Sequence, residues 1–401
     1  MISQDGASPG EFRLFLEEIC CELCRFRHVR EDGLAAELVA TERDTRIGPP
    51  DAFADIKVVP GDRSPYFVEI KWGYDGEELI RRLARKYAAR SDTQCRKLIV
   101  VTDLADQPAW PAIAETIRGG VWSGLEIEVW GERKLLRQLE DFFGLRIDNL
   151  TGANWQAIRD SIVRAEWTRA FGDTADERLA PVLLWHFSSW TLNRLHRDLG
   201  LPPDGILRPG VHQNVAILMA DLCSFSSYVR DTRDDALVRQ SLTTFYSQAR
   251  DAVLNSAGML HMFVGDQVIG LFGFPDQRPG YADEAVRCGR RLIDVGNSVC
   301  ERWQRGLDRA QTSKGVHIGV AIGDLSLMPL RAFSRSHFAF IGDAFNMTAR
   351  LMEAAAPSEM VISNNLYHAL AAETQSAFQE MRPVEGKGVG LIRCWRMSAA
   401  A

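Results

Sequence analysis

The chain has 401 residues, of which 46% are hydrophobic and 25% are charged. That length exceeds one ordinary hydrophobic core, so we expect two or three domains. The net charge of −6 argues against a global nucleic-acid or anionic-membrane surface, and leaves room for a local basic groove. No apolar run approaches the length of a membrane span and the N-terminus has no signal-peptide pattern, which predicts a cytoplasmic protein without membrane contact.

The eight cysteines are expected to be thiols in that compartment. Cys21 and Cys24 form a C-x-x-C pair beside Cys20, in a run with helical periodicity. No second pair of this kind and no close downstream pair of histidines follows. Core packing is therefore expected here rather than a zinc site.

Residues 1–147 alternate predicted helices and strands, which is typical of a small α/β domain. The predicted elements are a helix over 11–28, strands over 54–59 and 66–72, a helix over 77–89, and strands over 97–102 and 125–130. Apolar periodicity gives the helices and strands, and a Pro- and Gly-containing turn joins the first two strands.

One constellation of charged residues stands out in this domain. Asp55 precedes Glu69 and Lys71, which form an E-x-K on the next predicted strand. Strand alternation puts Glu69 and Lys71 on one face, as metal-assisted hydrolysis needs. The pattern resembles that of restriction-endonuclease-like domains, in which such residues hold a metal and position water. Because it is short, it favours the fold more than a live nuclease, and a hairpin with a surface Glu–Lys pair is the alternative.

Residues 148–205 are predicted to form a helical connector. Apolar residues recur at near-helical spacing over 152–171, and a second apolar run covers 181–187. Two prolines, Pro202 and Pro203, then interrupt the chain and place a domain boundary near residue 205. The apolar faces of these helices would suit packing against a partner subunit.

Residues 206–401 are predicted to form a second domain with the element order β-α-β-β-α-β. That order is typical of a ferredoxin-like sheet with helices on one face. The predicted elements are a strand over 214–220, a helix over 234–256, a tight hairpin at Gly265-Asp266, a helix over 283–303, strands over 316–322 and 338–341, a helix over 344–355 and a strand over 359–363.

Two carboxylates in this domain predict a metal site. Asp221 ends the first strand and Asp266 lies at the tip of the neighbouring hairpin. Like charges at one sheet edge repel unless a cation lies between them, and hard oxygen ligands suit Mg²⁺ or Mn²⁺. Leu222 offers a backbone carbonyl to the same metal.

Two further groups of residues suit the handling of phosphates. Exposed backbone N–H groups after Asp221 make an anion site for β- and γ-phosphates. These N–H groups are those of Cys223, Ser224, Phe225 and Ser226. Asn346 and Arg350 are four residues apart and share a helix face. An amide that orients a ribose and a guanidinium that meets charge on phosphorus suit phosphoryl transfer.

Four motifs occur in order over 215–226, 263–266, 318–323 and 340–350. Together they resemble the class III nucleotidyl cyclases, over about residues 213–373. The resemblance implies that Asp221 and Asp266 bind two ions of Mn²⁺ or Mg²⁺. It implies attack of a ribose 3′-hydroxyl on the α-phosphate with loss of pyrophosphate.

The same resemblance assigns roles to a helix pair and to a second subunit. Asn346 and Arg350 would be the transition-state residues. In that family the metal aspartates and the Asn–Arg pair come from different subunits. Since one chain holds both halves, a head-to-tail homodimer with two shared sites is expected.

The positions that read the base depart from that family. Adenylate cyclases of this class carry Lys four residues before the hairpin Asp, and Asp or Thr seven residues before the Asn. Here those residues are Met262 and Ala339, whose side chains cannot hydrogen-bond adenine and do not match the Glu and Cys of guanylate cyclases. With Phe263, Phe338 and Phe340 nearby in sequence, a pocket for a single-ring base is expected.

This combination is similar to the bacterial pyrimidine cyclases of the Pycsar antiphage system, which make cyclic UMP or cyclic CMP. We therefore predict a cyclase that converts UTP to cyclic UMP, with an N-terminal domain that senses a phage-derived trigger. The alternatives are CTP as substrate, an adenylate cyclase with an unusual pocket, and a metal-dependent nuclease or sensor whose cyclase-like domain only senses nucleotides.

Overall fold

The computed structural model describes residues 9–48, 52–88, 90, 94–119, 125–172, 176, 178–232, 235–304, 313–332, 335–386 and 390–398. The chain divides into two compact units, an N-terminal unit (Met1–Glu166) and a C-terminal unit (Trp167–Ala401). The predicted connector therefore contributes helices to both units, and its predicted ends at residues 147 and 205 stay predictions.

The N-terminal unit is a mixed α/β structure, as its alternating pattern predicts. Its strands are β1 (Val39–Arg46), β2 (Phe53–Pro60), β3 (Tyr66–Ile70), β4 (Lys97–Val101) and β5 (Glu126–Trp130). Its helices are α1 (Pro9–Glu31), α2 (Gly76–Ala88), α3 (Trp110–Arg118), α4 (Glu132–Phe143) and the first part of α5 (Trp155–Phe171). The sheet order is β1-β2-β3-β4-β5, with antiparallel pairs up to β3 and parallel pairs beyond it.

Alternation along β3 builds two separate cores in this unit. Val68 packs in the core that contains α1 and α4, and Phe67 packs in the core that contains α2. Cys20, Cys21 and Cys24 lie buried on α1 in the first of these cores, which confirms packing for the C-x-x-C pair. Restriction-endonuclease likeness of this unit stays a prediction.

Strand β1 is absent from the sequence-based prediction for a physical reason. Its sequence is largely charged and threonine-rich, so it lacks the apolar alternation that indicates a strand. Two of these charged residues, Arg43 and Asp44, are buried. Helices α3 and α4 are also additional to the predicted set.

The C-terminal unit begins with the last part of α5 and two short helices, and it continues as one large sheet. Its helices are α6 (Leu179–His186), α7 (Ser189–Leu199), α8 (Phe225–Asp231), α9 (Asp235–Asn255), α10 (Tyr281–Gln304), α11 (Asp343–Ala354), α12 (Asn364–Ala369) and α13 (Ala372–Gln375). Its strands are β6 (Gly210–Leu222), β7 (Met259–Val264), β8 (Gln267–Phe272), β9 (Val316–Ala332), β10 (Arg335–Ile341), β11 (Glu359–Ser363), β12 (Gln379–Gly386) and β13 (Gly390–Ser398). The sheet order is β12-β13-β11-β9-β6-β8-β7, and β10 pairs with β9.

The central part of this sheet confirms the predicted β-α-β-β-α-β order. Strands β6, β7, β8 and β9 are joined by α8 and α9 and then by α10, and they lie side by side as β9-β6-β8-β7. Residues 215–220 of β6 are all buried, because this strand is central and covered on both faces. Strands β12 and β13 extend the sheet beyond the predicted elements.

The two helices of that order, α9 and α10, cover one face of the sheet, as expected, whereas α11, which follows them in the chain, covers the opposite face. Helices α9 and α10 pack with Val320 of β9, whereas Leu351 of α11 packs with Ala321, whose side chain alternates to the opposite face. At Gly319 an added Cβ would lie 2.3 Å from the Thr348 carbonyl. The close approach of α11 to β9 therefore requires glycine there.

Within these described ranges, no helix is both long enough and apolar enough to cross a membrane.

Candidate active site

The hairpin between β7 and β8 brings two carboxylates to one end of the sheet. Asp221 is the cross-strand partner of Gln267, and Val264 faces Gln267 from the other side. The connecting loop is Gly265-Asp266, in which Gly265 has φ +62°, a conformation that favours glycine. The predicted tight hairpin is confirmed, and Asp266 lies beside the strand position that pairs with Asp221.

The electrostatics of this pair fit a divalent cation. Burial, and next the charge of Asp266, raise the pKa of Asp221 to about 6, against a weaker opposing effect of His317. Burial also raises the pKa of Asp266. Both carboxyl groups are thus disfavoured as anions in the metal-free protein, and a hard cation between them would relieve that cost.

The remaining ligands for such a cation would be backbone carbonyl oxygens and substrate phosphates, not further acidic side chains. Within the described ranges, no three His, Cys, Asp or Glu side chains converge on a metal-sized gap. Leu222 follows Asp221 directly at the buried end of β6, so its carbonyl oxygen is a neighbouring backbone ligand for the cation. Substrate phosphates would complete the shell, as is usual for Mg²⁺.

The segment after Asp221 offers fewer N–H groups than its sequence predicts. The Cys223 N–H donates to the Gly315 carbonyl at 2.9 Å and is therefore committed to the sheet, which corrects its expected role. Ser224 precedes α8 with φ +62°. The N–H groups of Ser224, Phe225 and Ser226 lie before or in the first turn, where no intrahelical acceptor exists, so these three keep the predicted phosphate role as a proposal.

Asn346 and Arg350 lie on the outward face of α11. Thr348 and Leu351 of the same helix are buried against the sheet, whereas Asn346 is exposed. The Arg350 side chain is 39% exposed and forms an ion pair with Glu353 at 2.6 Å. The two predicted transition-state residues share a face, as the spacing predicts, and that face points away from their own sheet.

The two base-reading positions, Met262 and Ala339, lie in chain segments that contact each other through the adjacent residues His261 and Phe340. Met262 on β7 is partly exposed and Ala339 on β10 is half-buried. The ring of His261 lies 5.1 Å from that of Phe340, measured between centroids. The chain segments of both positions therefore meet on the α11 face of the sheet. The side chain of Phe338 lies outside the described residues.

Three residues near these groups escaped the sequence reasoning: His261, His317 and Tyr246. His317 faces Asp221 across β6 and β9, and its Nδ1 donates to the Ala355 carbonyl at 2.7 Å. The Tyr246 hydroxyl donates to the Gly265 carbonyl, and its ring stacks on Phe263 at 4.0 Å. These three residues reach the site through strand register and helix packing, and no local pattern in the sequence indicates either one.

The N-terminal unit also brings its predicted triad together. Lys71 Nζ lies 3.1 Å from Asp55 Oδ2 and 2.6 Å from Glu69 Oε2. All three side chains are buried, and Glu69 is fully inaccessible. The alternative of a surface Glu–Lys pair is therefore wrong.

The surroundings of this triad do not fit a metal. Arg13 and the Ile70 N–H donate to the two oxygens of Asp55. Lys86 and Tyr87 donate to Glu69. Each carboxylate oxygen thus already accepts from a donor of the protein, and a cation would have to displace buried ammonium and guanidinium groups.

The charges in this buried network are balanced without a metal. Burial by itself would raise the pKa of Asp55, but Lys71, Lys86 and Arg13 hold it well below its usual range. Burial lowers the pKa of Lys71, and the two carboxylates raise it above its usual value. The triad therefore acts here as a set of ion pairs that ties α1 and α2 to the sheet.

Comparison with known proteins supports a nucleotide-cyclase domain. Residues 207–399 match the family described as "Adenylate and Guanylate cyclase catalytic domain". The "Uncharacterized protein Rv1319c" of Mycobacterium tuberculosis is 26% identical over 170 residues, which is 42% of this chain and 29% of that protein. The chain thus spans less than a third of the length of this curated relative.

Two solved structures each resemble about half of the chain. The guanylyl cyclase Cya2 is 21% identical, covers 48% of this chain and 95% of its own, with a TM-score of 0.42. The adenylyl cyclase CyaB from P. aeruginosa is 17% identical, covers 48% of this chain and 97% of its own, with a TM-score of 0.42. From the family match, residues 207–399 form a class III adenylate/guanylate cyclase catalytic domain.

Proposed function

We propose that the protein is a pyrimidine nucleotide cyclase that converts UTP to 3′,5′-cyclic UMP and pyrophosphate. The observation that carries the choice of base is the pair Met262 and Ala339, since neither side chain can hydrogen-bond a purine edge. A purine site built on hydrogen bonds loses discrimination when both partners are apolar. The close packing of His261 against Phe340 supports a narrow base pocket on this face.

The chain's own residues divide the work of the reaction. Asp221, Asp266 and the Leu222 carbonyl would hold two ions of Mn²⁺ or Mg²⁺. Bound divalent cations supply a lowered pKa of the ribose 3′-hydroxyl and charge neutralisation of the triphosphate. The N–H groups of the first turn of α8 bind the β- and γ-phosphates.

The other half of the chemistry falls to α11. Asn346 orients the ribose, and Arg350 stabilises the charge that builds on the α-phosphate as the 3′-oxygen bonds to phosphorus and the bond to pyrophosphate breaks. The hydroxyl proton leaves to solvent. Arg350 must exchange its pairing with Glu353 for the phosphate when substrate binds.

A homodimer with two shared sites completes this arrangement. Asn346 and Arg350 point away from the sheet that carries their own Asp221. A second copy in head-to-tail orientation would present its α11 to the carboxylate pair, and the two-fold axis would generate two equivalent sites. This assembly is part of the proposal.

The deciding experiment incubates the purified full-length chain with each of the four nucleoside triphosphates and Mn²⁺. The expected product is cyclic UMP, with cyclic CMP from CTP as the nearest alternative. Product from ATP alone would replace the proposal with an adenylate cyclase of unusual pocket. The control variant Asp266→Asn should abolish product formation from every nucleotide.

The biological role proposed is a cytoplasmic messenger signal in antiphage defence, with the N-terminal unit sensing a phage-derived trigger. Its support is the resemblance to the Pycsar cyclases. Nucleotide product measured in cells before and after phage infection tests it, with a rise expected only after infection. Equal levels with and without phage would remove the sensing role.

The competing nuclease hypothesis has one observation in its favour, the convergence of Asp55, Glu69 and Lys71. The saturated oxygens of both carboxylates count against it. Plasmid cleavage that is present in the wild type and lost in Lys71→Ala would reverse this assessment.

A further inference from the structure

A β-bulge in β7 changes which side chains reach the α11 face. Leu260 pairs with Gly270 and Met262 pairs with Ile269, so His261 is an extra residue with no position opposite it on β8. A bulge of this kind directs two consecutive side chains to the same face of the sheet. His261 therefore lies beside Met262 on that face instead of alternating with it.

The core packing agrees with this assignment of faces. Leu260 lies in the core beneath α9 and α10, and Phe263 packs against the same core, where it stacks on Tyr246. His261 and Met262 lie between these two inward residues and point the other way. The bulge thus supplies one more side chain to the α11 face than regular alternation allows.

His261 lies close to three predicted site residues. It directly precedes Met262 in the chain, and its ring packs edge-on against that of Phe340, with 5.1 Å between the ring centroids. It also lies 5.7 Å from the ring of Phe345. Phe340 adjoins Ala339 and Phe345 adjoins Asn346. One imidazole therefore stands where the base-reading strands and the start of α11 meet.

Of the described side chains of His261, Met262, Ala339, Phe340 and Phe345, that of His261 carries the hydrogen-bonding groups. Met262, Ala339 and the two phenylalanines provide only apolar and aromatic surface. A neutral imidazole offers one N–H donor and one nitrogen acceptor, and the O2, N3 and O4 edge of uracil offers complementary groups. A half-buried hydrogen bond of this kind discriminates strongly against a ligand that cannot make it.

We propose that His261 is a specificity-determining residue that hydrogen-bonds the base of a pyrimidine nucleoside triphosphate. Phe340, Phe345 and Met262 line the same corner and fill the space that the second ring of a purine would need. The proposal rests on the proposed cyclase function and names a residue that reads its substrate.

The test compares two substitutions of His261 in the full-length chain. His261→Phe keeps an aromatic ring against Phe340 and removes the hydrogen bond, whereas His261→Gln keeps hydrogen-bonding groups. For the first variant we expect kcat/KM with UTP to fall on the order of 10- to 100-fold, with no matching fall for ATP. The second variant should recover part of that loss, and His368→Phe on α12, which is exposed, should leave both values unchanged.

A binding measurement separates failure of this inference from failure of the cyclase function. Titration calorimetry with UTP and with ATP, in Ca²⁺ to prevent turnover, gives the affinity ratio for wild type and His261→Phe. A wild type that binds UTP in Ca²⁺ but forms no product in the assay with Mn²⁺ sinks the cyclase proposal, while the affinity ratio still decides on His261. An unchanged UTP-to-ATP ratio in His261→Phe, or a wild type that prefers ATP, overturns the role of His261.

Discussion

The two acidic clusters of this protein have the same kinds of residues and opposite electrostatics. In the N-terminal unit, Asp55 and Glu69 are buried among basic groups, and the pKa of Asp55 is held well below its usual range. In the C-terminal unit, Asp221 and Asp266 lie at the same end of the sheet, and burial, followed by the charge of Asp266, raises the pKa of Asp221 to about 6. The negative charge of the first cluster is balanced by basic side chains, whereas that of the second would be balanced by a bound cation.

That difference separates a structural ion-pair network from a candidate metal site. Removing one member of a neutralised buried network leaves an uncompensated charge and costs stability. Removing one member of a repulsive pair removes a like-charge repulsion from the folded state, so it should lower activity without lowering stability. Substitutions in the two clusters should therefore have opposite effects on stability and function.

The largest effect is expected for Asp221→Asn. Loss of one carboxylate ligand should lower the rate of cyclic nucleotide formation on the order of 10³-fold or more, because the metal stabilises charge in the transition state. The metal-free variant should be at least as stable as wild type, since a like-charge repulsion is gone. Activity assays together with thermal unfolding check both halves, and retained activity would remove Asp221 from the metal site.

Mixing two inactive variants tests the shared site. Asp221→Asn and Arg350→Ala should each be inactive alone, but half of the dimers in an equal mixture contain one of each. Every such dimer has one intact site out of two, so about a quarter of wild-type activity should return. Activity that stays at the level of the separate variants would mean that each chain uses its own residues, or that no dimer forms.

The N-terminal cluster should respond to Glu69→Gln through stability. This change leaves buried Lys71 and Lys86 short of a counter-charge, so we expect a loss of about 3–5 kcal/mol in the unfolding free energy of this unit. Denaturant unfolding of the full-length chain measures it. The matched control is Glu140→Gln, which breaks an exposed pair with Arg146 and should change stability by less than about 0.5 kcal/mol.

A result in which Glu69→Gln leaves the N-terminal unit as stable as wild type would break the comparison. It would mean that the buried ion pairs do not hold the fold, and it would reopen the nuclease hypothesis for this cluster.

The smallest expected effect is the pH dependence of stabilisation by Mn²⁺. The pKa of Asp221 is raised on folding, so its proton stabilises the metal-free fold as pH falls through about 6, and the repulsion between the anions acts above that pH. A metal must displace this proton. Added Mn²⁺ should therefore raise Tm by a few degrees at about pH 8 and by almost nothing at about pH 5.

Thermal unfolding with and without Mn²⁺ at the two pH values gives this difference directly. Asp221→Asn should show almost no Mn²⁺ effect at either pH. An equal Mn²⁺ effect at both pH values in the wild type would contradict the carboxylate pair as the binding site.

Local sequence signals determined much of the fold. Apolar periodicity located α1, α9 and α10, and the Gly265-Asp266 signal located the β7–β8 hairpin, because helix faces and tight turns depend on residues close in the chain. Strand β1 escaped because its charged and threonine-rich sequence lacks the apolar alternation that indicates a strand. Strands β12 and β13 are also additional to the predicted elements.

For the candidate site, the sequence by itself determined the identity and spacing of Asp221, Asp266, Asn346 and Arg350. Only the tertiary structure decided what surrounds comparable acidic residues: Lys86 and Arg13 reach the N-terminal triad from α2 and α1, which the E-x-K pattern does not reveal. Only the register of β7 against β8 decided that His261 joins Met262 on one face. The physical reason is the same in both cases, since charge neutralisation and strand register depend on contacts between segments distant in the chain.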